Sequence, residues 1–107
     1  MPDEQLLFAV ETRLGFVVDV TVDRWQMITS IKHPAMRERE NAVRTTLAEP
    51  EQIRRSRSDA AVLLFYRQTA PSRWVCCVVK RLTATTAFLI TAYPTDAIKE
   101  GELIWSD

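Results

Sequence analysis

The sequence predicts a single α+β domain: a curved antiparallel sheet with two helices from the N-terminal half packed on one face, in the order β-β-α-α-β-β-β. Three observations predict it. Residues 16–22 alternate, with Phe16, Val18, Val20 and Val22 on one face and Val17, Asp19 and Thr21 on the other, the period of a half-buried strand. Apolar side chains then recur at helical spacing, through Trp25, Ile28 and Ile31 and again through Met36, Val43 and Leu47. Finally, three apolar runs at 61–68, 74–82 and 87–93 are too short for ordinary helices and read as strands. A chain of 107 residues can bury one sizeable core but not two.

Taken in order, residues 6–12 and 15–22 form paired strands, with Gly15 supplying the positive φ of the turn between them. Asp23 with Gln26 three residues on fits a variant capping box and starts the first helix, whose Trp25, Ile28 and Ile31 face the sheet. Pro34 disfavours helical geometry at His33, so that helix ends near Lys32 or His33. Pro34 then opens the second helix as its first residue. The mixed-sign run at 37–40 reads as a solvated face. Residues 50–53 make one further turn, and 54–59 form a polar, basic connector. The run at 61–68, apolar on both faces until Arg67, suits a central strand. The links around Pro71 and at 83–86 suit antiparallel hairpins. Residues 98–105 are expected to form a short turn or helix and a terminal apolar anchor.

The chain is organised around 87–96, which begins as a buried strand and ends in Thr91, Tyr93, Pro94, Thr95 and Asp96. Such a strand delivers hydroxyls to its own exit. The composition narrows the chemistry. Lys plus Arg and Asp plus Glu both number 14, so the net charge is zero, which argues against non-specific binding along a nucleic-acid backbone as the main work. Cys76 and Cys77 are neighbours in a strand and point to opposite faces, which disfavours a mutual disulfide. No Cys-His spacing suggests a metal, and the two glycines, Gly15 and Gly101, cannot make a phosphate loop. No cofactor and no metal are expected. Residues 1–5 lack a basic segment before an apolar one, no run is long enough to span a membrane, and a reduced cytoplasmic setting is the expectation.

Candidate chemistry rests on three sets of residues. His33, the single histidine, changes charge near neutrality and suits acid-base work, although a lone histidine at a helix end is more often a cap. Thr91 and Tyr93 share a strand face, and Thr95 follows; alone, such hydroxyls are ordinary strand residues. The cations Arg54, Arg55, Arg57, Arg67, Lys80 and Arg81 form the third set. Arg67 and Lys80 interrupt apolar strands, where an unpaired buried charge costs several kcal/mol, so both should sit at a rim near a site. Acid-base groups, cations and hydroxyls suit RNA cleavage by its own 2′-hydroxyl.

A tryptophan-led helix into H-P (Trp25, Pro34), P-E-Q-I-R-R-S from Pro50, F-Y-R ending at Arg67, V-V-K ending at Lys80 and T-A-Y-P-T from Thr91 occur in one order. The set resembles small phage and bacterial proteins of the Barnase–EndoU–colicin–RelE nuclease superfamily, over about residues 20–105. The resemblance implies a compact helical part before a curved antiparallel sheet, and metal-independent ribonuclease activity, toxin-like or phage-derived. On that basis His33, Arg67, Lys80, Thr91 and Tyr93 are the expected catalytic residues. Arg54, Arg55, Arg57, Arg81 and Thr95 are the expected substrate-binding residues. The expected partners are RNA, such as tRNA or ribosome-bound mRNA, and an inhibitor or antitoxin protein, with no membrane. The alternative is a non-catalytic protein-binding or self-associating module, for instance a homodimer, on the same fold.

Overall fold

The structure, a computed structural model, describes residues 5–107; the expectation about a signal peptide falls mainly on residues 1–4, outside that range. Seven strands form one sheet: β1 (Leu6–Glu11), β2 (Val17–Thr21), β3 (Gln52–Arg55), β4 (Val62–Ala70), β5 (Arg73–Arg81), β6 (Thr86–Thr95) and β7 (Glu102–Ser106). Their order across the sheet is β1-β2-β6-β5-β4-β3-β7. Two α-helices, α1 (Val22–Met27) and α2 (Glu40–Ala48), lie between β2 and β3. The α+β class stands, but the expected element order does not. Two more strands are present, and the sheet is mixed because β2 pairs with β6 in parallel.

Composition hid β3, whereas the stretch expected to form a short turn or helix and an apolar anchor over 98–105 instead ends in strand β7. β3 reads Gln-Ile-Arg-Arg, and of its four side chains only Ile53 is buried. It is a strand because β4 and β7 pair with it from both sides, which no local pattern announces. Gly101 lets the chain enter β7 with φ +85°; a Cβ there would meet the Arg55 carbonyl oxygen at 2.7 Å.

The helical region also departs from expectation. Thr21, not Asp23, caps α1: its Oγ1 accepts from the Arg24 N–H at 3.1 Å. After Met27 the helix widens into a π-turn, Ile28–Lys32, closed by the His33 N–H donating to the Ile28 carbonyl at 2.7 Å. The wider turn rotates Ile31 off the core face, leaving it 76% exposed, while Ile28 and Thr29 are buried. Pro34 begins only a 3-10 turn, Pro34–Met36, because Glu38 takes φ +65° and α2 restarts at Glu40. Met36, Val43 and Leu47 still reach the core, from a turn and a helix rather than from one helix.

The two faces of the sheet are distinct. Phe16, Val18, Phe65, Val75, Cys77 and Leu89 pack with helix residues Trp25, Ile28, Val43 and Leu47 into the main core. The opposite face carries a smaller cluster of Leu64, Tyr66 and Cys76, with Val78 and Tyr93 against it. Cross-strand register lays this face out in rows. Tyr93 neighbours Cys76, Tyr66 and then Gln52; Thr91 neighbours Val78, Leu64 and then Arg54; Phe88 neighbours Lys80 and then Val62. A bulge opposite Val78 and Val79 moves β6 by one residue, so Leu89 and Ala92 both face the core while Phe88, Thr91 and Tyr93 share the other face. β2 pairs with β6 only as far as Phe88. Beyond it that side of β6 has no strand partner among the described residues, and Pro94 is tolerated inside the strand.

Candidate functional site

The π-turn and the Pro34–Met36 turn run beside the free side of β6. His33 sits between them with its backbone held at both ends: its N–H donates to Ile28 and its carbonyl accepts from Met36 at 2.9 Å. This mounting brings the imidazole to Tyr93, ring centroids 5.3 Å apart and planes 39° from parallel. Both rings line one wall of a hollow of about 790 Å³ on the sheet face opposite the helices. Its floor is apolar, made of Val62, Leu64 and Val78. The other walls come from Ser56, Arg57 and Ser58, and from Lys99, Glu100 and Gly101.

The second wall is clamped in place. Arg54 donates from Nε to the Glu100 carbonyl at 2.8 Å and from Nη2 to the Gly101 carbonyl at 3.0 Å, while Nη1 reaches Gln52 Oε1 at 3.0 Å. Arg57 Nη2 adds a longer bond to Gly101 at 3.4 Å. Lys80 stands in the row next to Val62, with Nζ 3.3 Å from Asp59 Oδ2. The Ala61 N–H bond and then Lys80 hold the Asp59 carboxyl below its ordinary range. Asp59 therefore stays ionised against Lys80 at neutral pH.

Electrostatics sorts the remaining groups by role. Burial pushes the Tyr93 and Tyr66 phenols far above their ordinary range, so each keeps its proton and serves as a neutral hydrogen-bond donor. Burial also raises the Cys76 thiol to about 11, against the opposing pull of the Tyr93 and Tyr66 hydroxyls. A thiol so placed is not a nucleophile near neutrality. Glu100 lines the hollow with Tyr93, and its charge adds to the upward push on Tyr93, Tyr66 and Cys76. Thr91 Oγ1 is buried in the same face without a hydrogen-bond partner among the described residues.

Of the expected site residues, His33, Tyr93 and Arg57 line the hollow, Thr91 and Lys80 share its sheet face, and Arg54 braces its wall. Four others do not join it. Arg67 pairs across the sheet with Val75 and so points to the core side, where Nη1 donates to the Glu49 carbonyl at the end of α2, at 2.6 Å. Arg81 lies over the Phe16 ring at 4.8 Å and binds the carbonyls of Thr83 and Ala84. Arg55 pairs with Leu63 and is exposed on the core side. Thr95 closes a local turn with Ala97. The physical reason is parity: a residue one place along a strand faces the other way, and burial on both sheet faces hides the parity of β4 and β5. Lys99 and Glu100 were missed because no pattern marks them; only β7 pairing with β3 brings them over the hollow. Among the described residues, no three His, Cys, Asp or Glu side chains converge as a metal site. Comparison with family models, with curated proteins and with solved structures returns no match.

Proposed function

We propose that the protein is a metal-independent endoribonuclease that cleaves RNA by attack of its own 2′-hydroxyl. The observation that carries this is the His33–Tyr93 ring pair facing Arg57, Lys99 and Glu100 across one hollow. In such a reaction a base takes the 2′ proton, the O2′–P bond forms, the P–O5′ bond breaks, and an acid protonates the departing O5′. His33 and Glu100 are the pair of proton-transfer groups that the hollow offers. One removes the first proton and the other supplies the second. Arg57 and Lys99, with Lys80 at the rim, stabilise the charge that builds on the phosphorane oxygens. Tyr93, kept protonated, donates a hydrogen bond to a phosphate oxygen or to the leaving group. Arg67 has no part, a revision of its expected role. The products are a 2′,3′-cyclic phosphate and a 5′-hydroxyl. The ordered motifs that resemble the Barnase–EndoU–colicin–RelE superfamily support the same reading.

The test is cleavage of a labelled RNA in excess chelator, with end-group analysis of the fragments. Cleavage should persist and leave the cyclic phosphate. His33→Ala should slow it at least ~100-fold, the scale of a positioned acid or base, at an unchanged melting temperature, and Arg67→Ala should cleave normally. Loss of cleavage in chelator, or a His33→Ala protein as fast as the wild type, would eliminate this mechanism.

A further inference from the structure

A second groove, of about 470 Å³, lies on the same sheet face as the hollow, at the other end of β6. Phe88 is half-buried there, facing the groove in the row that also holds Lys80. The Arg24 guanidinium stands over its ring, 5.9 Å from the centroid. Met27 and the 61%-exposed Leu82 continue the apolar lining. Asp19, directly beside Phe88 on β2, and Asp23 also line this groove. Among the described residues neither carboxylate has an ion-pair partner. An aromatic ring with a guanidinium over it offers two planes, ring and guanidinium, on which a nucleobase can stack as the mobile Arg side chain yields. Two carboxylates beside it repel a phosphate but accept hydrogen bonds from an exocyclic amine. The groove therefore suits a base and disfavours the backbone, the reverse of the hollow with its Arg57 and Lys99.

Phe88 and Tyr93 lie opposite Lys80 and Cys76, four residues apart on the unbulged β5, ~13 Å at strand rise. That is the span of about five stacked nucleotides, or fewer if stretched, which a hexanucleotide covers. We propose that the Phe88 groove is a second base-binding subsite for the same RNA strand, taking adenine, cytosine or guanine stacked on Phe88 with its amine on Asp19 or Asp23. This rests on the ribonuclease reading of the hollow and adds a length and base preference to it.

Binding of uncleavable 2′-O-methyl oligonucleotides tests it apart from catalysis. A hexanucleotide of adenines should bind the wild type more tightly than an adenine dinucleotide. Phe88→Ala and Phe88→Leu should each weaken hexanucleotide binding about tenfold, within the range of one lost base stack, and leave dinucleotide binding unchanged. Phe88→Tyr should restore the hexanucleotide affinity. An all-uracil hexanucleotide should bind more weakly, and Asp19→Asn should narrow that gap. The subsite is overturned if Phe88→Leu binds both lengths like the wild type, if both lengths weaken equally, or if the wild type binds neither. Phe88-dependent binding without any cleavage would support the subsite and sink the ribonuclease reading alone.

Discussion

Tyr66, Cys76 and Tyr93 form a protonated seam beneath the hollow, and burial is the largest cause for each. Their acid dissociation is disfavoured in the folded state, so their folded values lie above the unfolded ones. The linked stability is fully present below the unfolded value and is lost as pH rises toward the folded one. For Cys76 that window runs from its ordinary value of 9.0 to about 11. Urea midpoints should hold steady to about pH 9 and then fall, and Cys76→Ala should make the fall shallower. An equal fall in both proteins would remove Cys76 from the account. A histidine before a proline was a legible signal for a bend beside a helix. Its contact with Tyr93 was not, because 60 positions separate the two residues and only the free side of β6 lets them meet.

The π-turn is the element that aims His33, and it makes two isoleucines unequal. Ile28 is fully buried, whereas Ile31, at helical spacing from it, is 76% exposed. Ile28→Ala should cost about 2–5 kcal/mol, the range for a buried aliphatic truncation. Ile31→Ala should lie within ~0.5 kcal/mol of the wild type, as for ordinary surface changes. Denaturant unfolding of the two variants checks this, and equal losses would restore a regular helix through residue 32. Spacing alone assigned both to the core, because sequence periodicity assumes 3.6 residues per turn and one wider turn shifts every later side chain. β3 failed to announce itself for a different reason. A strand paired on both sides with one buried residue in four has almost no hydrophobic pattern to read.

For the whole molecule, zero net charge sets the scale of RNA binding. The hollow offers Arg57 and Lys99 as its cations, while Lys80 is paired with Asp59 and Arg24, Arg81 and Arg67 are engaged elsewhere. Each phosphate neutralised on a single strand lowers the slope of log affinity against log salt by about 0.7, so the slope should be about −1.4. Lys99→Ala should bring it nearer about −0.7, one contact fewer by the same rule. A slope several times steeper would mean that RNA lies on another, more basic surface. The sheet supports this scale by segregating its faces: the helices cover one, and both hollows open on the other.

Periodicity by itself determined the α+β class, the first two strands with the Gly15 turn, the buried seam of Met36, Val43 and Leu47, and the opposed faces of Cys76 and Cys77. Each follows from nearest-neighbour geometry, the two-residue alternation of strands and the turn of a helix. Tertiary structure alone decided the parallel pairing of β2 with β6, the existence of β3 and β7, and which cations share a face with His33. Those outcomes depend on partners distant in sequence. A single bulge or wide turn reverses which way a side chain points, and nothing in the local residues records where the partner strand will lie.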